Sequence, residues 1–191
     1  MTSLRRRRRA GFTLLELIAV IAVVGLIAAL AVGRLDFLVP KYRLRGAARE
    51  VGAVLKQAKS RAAATGRDVY FMADLGQGEY WLLVAFPKLK DDGTLPGPGE
   101  PTEFEYQEAF RSTLPDGVQF VNVVTGPGND QSIGGGRAVV RMSPFGASAS
   151  VIVNLRMDDL PMCTKLNGIT GVVTFYEEHQ QADELLEAPS D

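Results

Sequence analysis

The sequence predicts an α+β fold, a long N-terminal helix packed on an antiparallel β-sheet domain. Three observations predict it. Residues 17–33 (LIAVIAVVGLIAALAVG) contain no polar side chain. Within residues 44–62, Leu44, Ala47, Ala48, Val51, Val54, Leu55, Ala58 and Ala62 recur at helical spacing. From residue 67 onward, short alternating apolar runs are separated by Gly- and Pro-rich turns.

The first run, extended to residues 12–33, is interrupted only by Thr13 and Glu16. As a helix it reaches roughly 33 Å, enough to cross a bilayer core. Arg5 to Arg9 precede it, and positive charge before a first apolar span holds that end in the cytoplasm. Residues 34–66 read as an amphipathic continuation. Arg45, Arg49, Lys56, Lys59 and Arg61 lie mostly off the apolar stripe. Pro40 is expected to bend the helix and Gly66 to end it.

Residues 67–177 form the β domain. Segments 68–74 (DVYFMAD) and 79–86 (EYWLLVAF) flank a turn at 75–78, predicting a hairpin. Residues 87–101 are a Pro/Gly-rich loop, and 118–124 is a strand. Residues 126–136 (GPGNDQSIGGG) read as a flexible loop. Segments 137–142, 149–156 and 169–176 read as three more strands. Val151, Val153 and Leu155 share one face of the second, and Ile169, Gly171, Val173 and Phe175 one face of the third. Residues 178–191 read as an acidic tail that frays.

At 191 residues the chain has room for one domain and an appendage. Its net charge of −1 conceals unequal blocks. Residues 1–11 carry +5, 12–33 carry −1, 34–67 carry +7 and 68–191 carry −12. The basic helix is therefore expected to face acidic neighbours. A domain at −12 repels phosphate, which argues against nucleic-acid binding.

No catalytic constellation is present. The single cysteine, Cys163, and single histidine, His179, exclude a disulfide scaffold, a zinc cluster and a His-based metal site. Cys163 reads as a buried thiol and His179 as a solvated tail residue. The acid pairs Asp91-Asp92, Asp158-Asp159 and Glu177-Glu178 make no ready acid/base dyad, because adjacent strand residues face opposite ways. A loop calcium site stays open as an alternative at the first two. Gly134-Gly135-Gly136 lacks the Lys-Ser/Thr of a phosphate loop. Trp81, Tyr80 and Phe86 read as core aromatics. No cofactor and no metal are expected.

Three readings of the N-terminus stand side by side: a plain signal anchor, a secretory signal peptide cut after Ala29-Leu30-Ala31, and one that gives Glu16 a purpose. An ionised carboxylate in an apolar helix costs a few kcal/mol unless paired. The order of an arginine-rich leader, Ala10-Gly11, Phe12-Thr13-Leu14-Leu15-Glu16 and a long apolar helix resembles the type IV prepilin signature. The resemblance implies that a prepilin peptidase/N-methyltransferase cuts between Gly11 and Phe12, removes residues 1–11 and methylates Phe12. It implies that Glu16 serves assembly as counter-ion to a neighbour's new amine. Thr13 to Leu15 then act as a neutral spacer.

Residues 142–146 (MSPFG), strand 149–156, Gly168 and the terminal strand loosely resemble the GspH/FimT group of that family. This implies a minor pseudopilin of type II secretion. The alternative is a FimT- or FimU-like minor type IV pilin that primes assembly or binds a ligand such as DNA. Implied partners are other pseudopilins or pilins, the peptidase and an inner-membrane assembly platform. The implied location is the bacterial inner membrane, single-pass, N-terminus cytoplasmic and C-terminal domain periplasmic, followed by the pseudopilus or pilus. The role is structural and not enzymatic.

Overall fold

The computed structural model describes residues 13–97, 100–126, 131–144 and 150–180, apart from the side chains of 29–38 and 131. The α+β class holds. Among the described residues, one helix, α1 (Leu14–Thr65), precedes nine strands. The chain divides into two compact units, Met1–Pro40 and Lys41–Asp191. This division falls inside the segment read from sequence as the amphipathic continuation.

In the first unit, Thr13 caps α1. Its Oγ1 and carbonyl both accept the Glu16 N–H, at 3.2 and 3.1 Å. Thr13-Leu14-Leu15-Glu16 has the Thr-x-x-Glu spacing of a capping box. Thr13 is thus more than the neutral spacer the sequence suggested, because the first N–H groups of a helix need acceptors. Pro40 lies within the helix and withholds one backbone donor there.

In the second unit, the remainder of α1 buries the predicted stripe. All eight residues from Leu44 to Ala62 are buried. They form one cluster with residues of both sheets. The helix ends where Gly66 takes φ of 65° and donates to the Ala62 carbonyl at 3.0 Å.

The strands are β1 (Val69–Asp74), β2 (Glu79–Pro87), β3 (Phe104–Thr113), β4 (Val118–Gly126), β5 (Gln131–Ile133), β6 (Arg137–Met142), β7 (Ser150–Met157), β8 (Leu160–Leu166) and β9 (Val173–Tyr176). They form two sheets, ordered β3-β2-β1-β6 and β5-β4-β7-β8-β9. Every pairing is antiparallel. Val69, Phe71 and Ala73 alternate into the core from β1, as Ala138, Val140 and Met142 do from β6.

The structure departs from the sequence reading in several places. β3 was not anticipated. Its first five residues are exposed, so the alternation of Phe104-Glu105-Tyr106-Gln107 turns no face to the core, and the segment owes its form to pairing with β2. β5 crosses the segment read as a loop, although residues 127–130 lie outside the described set. The predicted strand 169–176 is two features. Ile169 is 83% exposed and Gly171 has φ of 71°, in a turn held by Asn167, whose Oδ1 accepts the Ile169 and Thr170 N–H groups. Lys59 of α1 donates to the Gly168 and Ile169 carbonyls and fixes that turn from the helix side. Only β9 is strand.

β8 was also missed, for two local reasons. Pro161 argues against a central strand. It pairs with Arg156 on the β7 side, and β9 covers β8 only from Cys163 onward. Asp158-Asp159 looked like an acid pair and is the two-residue turn of the β7–β8 hairpin. Met157 pairs with Leu160, and Asp158 takes φ of 53°, a conformation Asp tolerates better than most residues.

Gly52 sets how closely α1 approaches the second sheet. A Cβ there would lie 2.9 Å from Val173 Cγ1 and 3.0 Å from both Phe175 Cε1 and Thr164 Cγ2. Thr164 cannot yield freely, because its Oγ1 donates to the Ala48 carbonyl at 2.9 Å. Alanine returns about 1 kcal/mol of helix propensity, and overpacking costs about 1–3 kcal/mol. Gly52→Ala is expected to lower the urea midpoint at an unchanged denaturant slope, and Gly52→Leu to lower it further.

Candidate functional site

Two regions carry unexplained chemistry, one in each unit. In the first, the large apolar side chains from Leu14 to Ile27 are all exposed, from 50% at Val20 to 79% at Leu15. They cover the helix on every side, with Glu16 the only ionisable residue among the described side chains of this unit. A helix apolar all round is normally covered by lipid or other protein. The Glu16 carboxylate has no partner among the described residues. Gly11 and Phe12 lie outside the described set. Among the described residues, no helix is long and apolar enough to cross a membrane. The span read from sequence, 12–33, includes Phe12 and the side chains of 29–33, which are not described.

In the second unit, a cleft of about 330 Å3 runs between α1 and β9. Arg45 and Arg49 come from the helix; Met162, Phe175, Tyr176 and Glu177 come from β8, β9 and the residue beyond. Glu177 binds two cations of α1: Lys41 Nζ at 3.0 Å, and Arg45. Helical spacing (i, i+4) places both on one face. Arg45, and then Lys41, hold the Glu177 carboxyl below its usual range. The basic helix therefore finds part of its acidic complement within its own chain. Arg49, Lys56 and Arg61 have no carboxylate partner among the described residues.

The tail does not fray at once. Asn154 of β7 donates to the Gln180 carbonyl at 2.8 Å and accepts the Gln180 N–H at 3.1 Å. Its amide thus imitates a strand backbone. It also donates to Asn122 Oδ1 at 2.7 Å. His179, read as solvated, places Nε2 3.0 Å from the Leu155 carbonyl; that contact requires the Nε2–H form. The sequence offered no signal for this lock beyond a polar residue, Asn154, in an apolar strand. Residues 181–191 lie outside the described set.

The other singled-out residues are structural. Cys163 is buried. Tyr80 is a core residue, and burial pushes its phenol pKa up. Trp81 faces away from that core, 7% exposed, beneath the guanidiniums of Arg111 at 4.7 Å and Arg137 at 5.9 Å. Arg111 is held by Glu79 at 2.9 Å and Glu108 at 2.6 Å. Phe86 stacks under Arg67 at 4.5 Å. Asp92 turns inward to its own loop, accepting from Thr94 N and Oγ1 at 2.9 and 2.6 Å. Among the described residues, no three His, Cys, Asp or Glu side chains could hold a metal ion. Phe145 and Gly146 lie outside the described set.

Residues 6–32 match the family described as the prokaryotic N-terminal methylation motif. No curated protein matches the chain. Among solved structures, the minor pseudopilin EPSH from the type II secretion system of Vibrio cholerae is 13% identical. The match covers 74% of this chain and 98% of that one, with TM-score 0.46. A second structure of that Vibrio cholerae protein, EpsH, gives 13%, 71%, 97% and 0.44. The type IV minor pilin FimU of Pseudomonas aeruginosa is 10% identical over 75% of this chain and 92% of that one, with TM-score 0.40. TM-scores below 0.5 assign no function.

The Glu177 clamp gives a pH prediction. A depressed folded-state pKa contributes stability above the unfolded value of about 4.3 and loses it as pH falls through the folded value. The Glu177 carboxyl, followed by carbon NMR, is expected to titrate below about 4.3. Arg45→Ala should raise that midpoint more than Lys41→Ala does, since Arg45 is the larger cause.

Proposed function

We propose a function for this chain as a type IV pilin-like protein, the family whose N-terminal methylation motif it carries at residues 6–32. It is a minor pseudopilin of type II secretion, a structural subunit of the periplasmic pseudopilus and not an enzyme. It is made as a single-pass inner-membrane precursor with the arginine leader in the cytoplasm. The prepilin peptidase cuts after Gly11 and methylates Phe12, and the assembly platform passes the subunit to other pseudopilins.

The observation that carries this reading is the motif followed by a helix whose apolar side chains are exposed on every side, with one carboxylate near its start. Cleavage before Phe12 leaves that helix attached and creates a cationic amine at its end. In a helix-packed core the amine needs a counter-ion, and Glu16 of a neighbouring subunit supplies one. Breaking a buried pair by removing one partner costs about 3–5 kcal/mol. Thr13 holds Glu16 in the first helical turn, where a carboxylate also favours the positive end of the helix dipole.

Intact-mass analysis of the protein from its native host is expected to show a chain starting at N-methyl-Phe12. A start at Val32 would instead identify a secretory signal. Glu16→Ala should leave that mass change intact and deplete the subunit from assembled filaments; normal incorporation would refute the counter-ion role. Deletion of the chain should abolish secretion across the outer membrane. Loss of surface pili with secretion intact would favour the minor-pilin alternative.

A further inference from the structure

The cleft between α1 and β9 has more positive charge than its own domain neutralises. Lys41 and Arg45 share one carboxylate, Glu177. Arg49 lines the same cleft with no carboxylate partner among the described residues. Beside these cations lie apolar groups: Met162, which is buried, and Phe175, which is 43% exposed. Among the described residues, β9 pairs only with β8. The cleft therefore suits a segment bearing both carboxylates and aliphatic side chains.

The chain itself contains such a segment. Residues 181–191 (QADELLEAPSD) carry Asp183, Glu184, Glu187 and Asp191, no Lys or Arg, and the pair Leu185-Leu186. Their starting point is set by the lock on β7. The chain leaves the cleft at Glu177 and is tied to Asn154 and Leu155 by residues 179 and 180. Val153 and Leu155 flank Asn154 and join the cluster around α1, so Asn154 holds Gln180 on the face of the sheet turned away from α1. A copy's own segment thus begins on the sheet face opposite the one that carries α1 and the cleft.

We propose that the cleft receives residues 181–191 of a second copy, with Arg49 meeting its carboxylates and Phe175 and Met162 meeting its leucines. Cleft and segment are different surfaces, so the contact is head-to-tail and can propagate along an open assembly. The proposal names a partner for the subunit described above and rests on that reading only for its setting in a filament. Binding is measured in vitro, so its failure leaves processing at Gly11 and the role of Glu16 untouched.

The test uses a fluorescent peptide of residues 181–191, titrated by anisotropy against the dilute full-length chain and against the chain ending at Gln180. Both are expected to bind it, less tightly as salt rises. Arg49→Glu should weaken binding by at least about tenfold, with Arg49→Lys retaining most of it. Lys56→Glu, an exposed helix position outside the cleft, should change it little. Circular dichroism of each variant confirms folding. No binding, undiminished binding by Arg49→Glu, or equal binding of a scrambled peptide would overturn the proposal. Binding to the truncated chain alone, with the full chain monomeric by sedimentation, would overturn it in favour of occupancy by the chain's own segment.

Discussion

The helix stripe from Leu44 to Ala62 is shared by two sheets, and most of the second unit depends on that sharing. The buried faces of β1, β2 and β6 on one side, and of β4, β7 and β8 on the other, join the same cluster around it. Apolar burial of this kind contributes roughly 25 cal/mol per Å2, but only where atoms touch. Contact on the second sheet is set by Gly52, whose missing side chain admits Val173, Phe175 and Thr164. The polar attachments then fix what burial leaves free to slide. Thr164 ties β8 to the Ala48 carbonyl, Lys59 holds the turn before β9, and Glu177 holds Lys41 and Arg45 after it.

These attachments change the meaning of the charge pattern. A +7 helix beside a −12 domain first suggests that every cation waits for another subunit. Part of the complement is internal, since Glu177 takes two of those cations. Among the described side chains, Arg43 and Lys59 meet backbone carbonyls and Arg67 the Phe86 ring, which leaves Arg49 in the cleft and Lys56 and Arg61 elsewhere on the helix. Exposed pairs of this type add little stability, about 0–1 kcal/mol. Their effect is on orientation and on partner choice.

The helix stripe was legible because its residues answer to a single period, and the first hairpin because its turn interrupts two alternating runs. β3, β5 and β8 were not, since each is specified by its neighbour. Phe104 to Glu108 carry no buried side chain and form strand because β2 offers them a ladder. Pro161 is tolerated because β9 is too short to reach it. Asp158-Asp159 reads only as an adjacent acid pair until the pairing of Met157 with Leu160 makes it a turn.

The candidate site divides in the same way. Gly11, Phe12, Glu16 and the apolar run form one linear pattern, and that pattern followed from the sequence alone. So did the α+β class, because periodicity is a property of consecutive residues. The cleft at Arg49 and Glu177 brings together positions more than a hundred residues apart, and no local pattern announces it. The lock of Gln180 on Asn154 is of the same kind. Only the packing of α1 against the two sheets decides which charges are spent within the chain and which remain for a partner, because Coulomb and hydrogen-bond energies depend on distance in space.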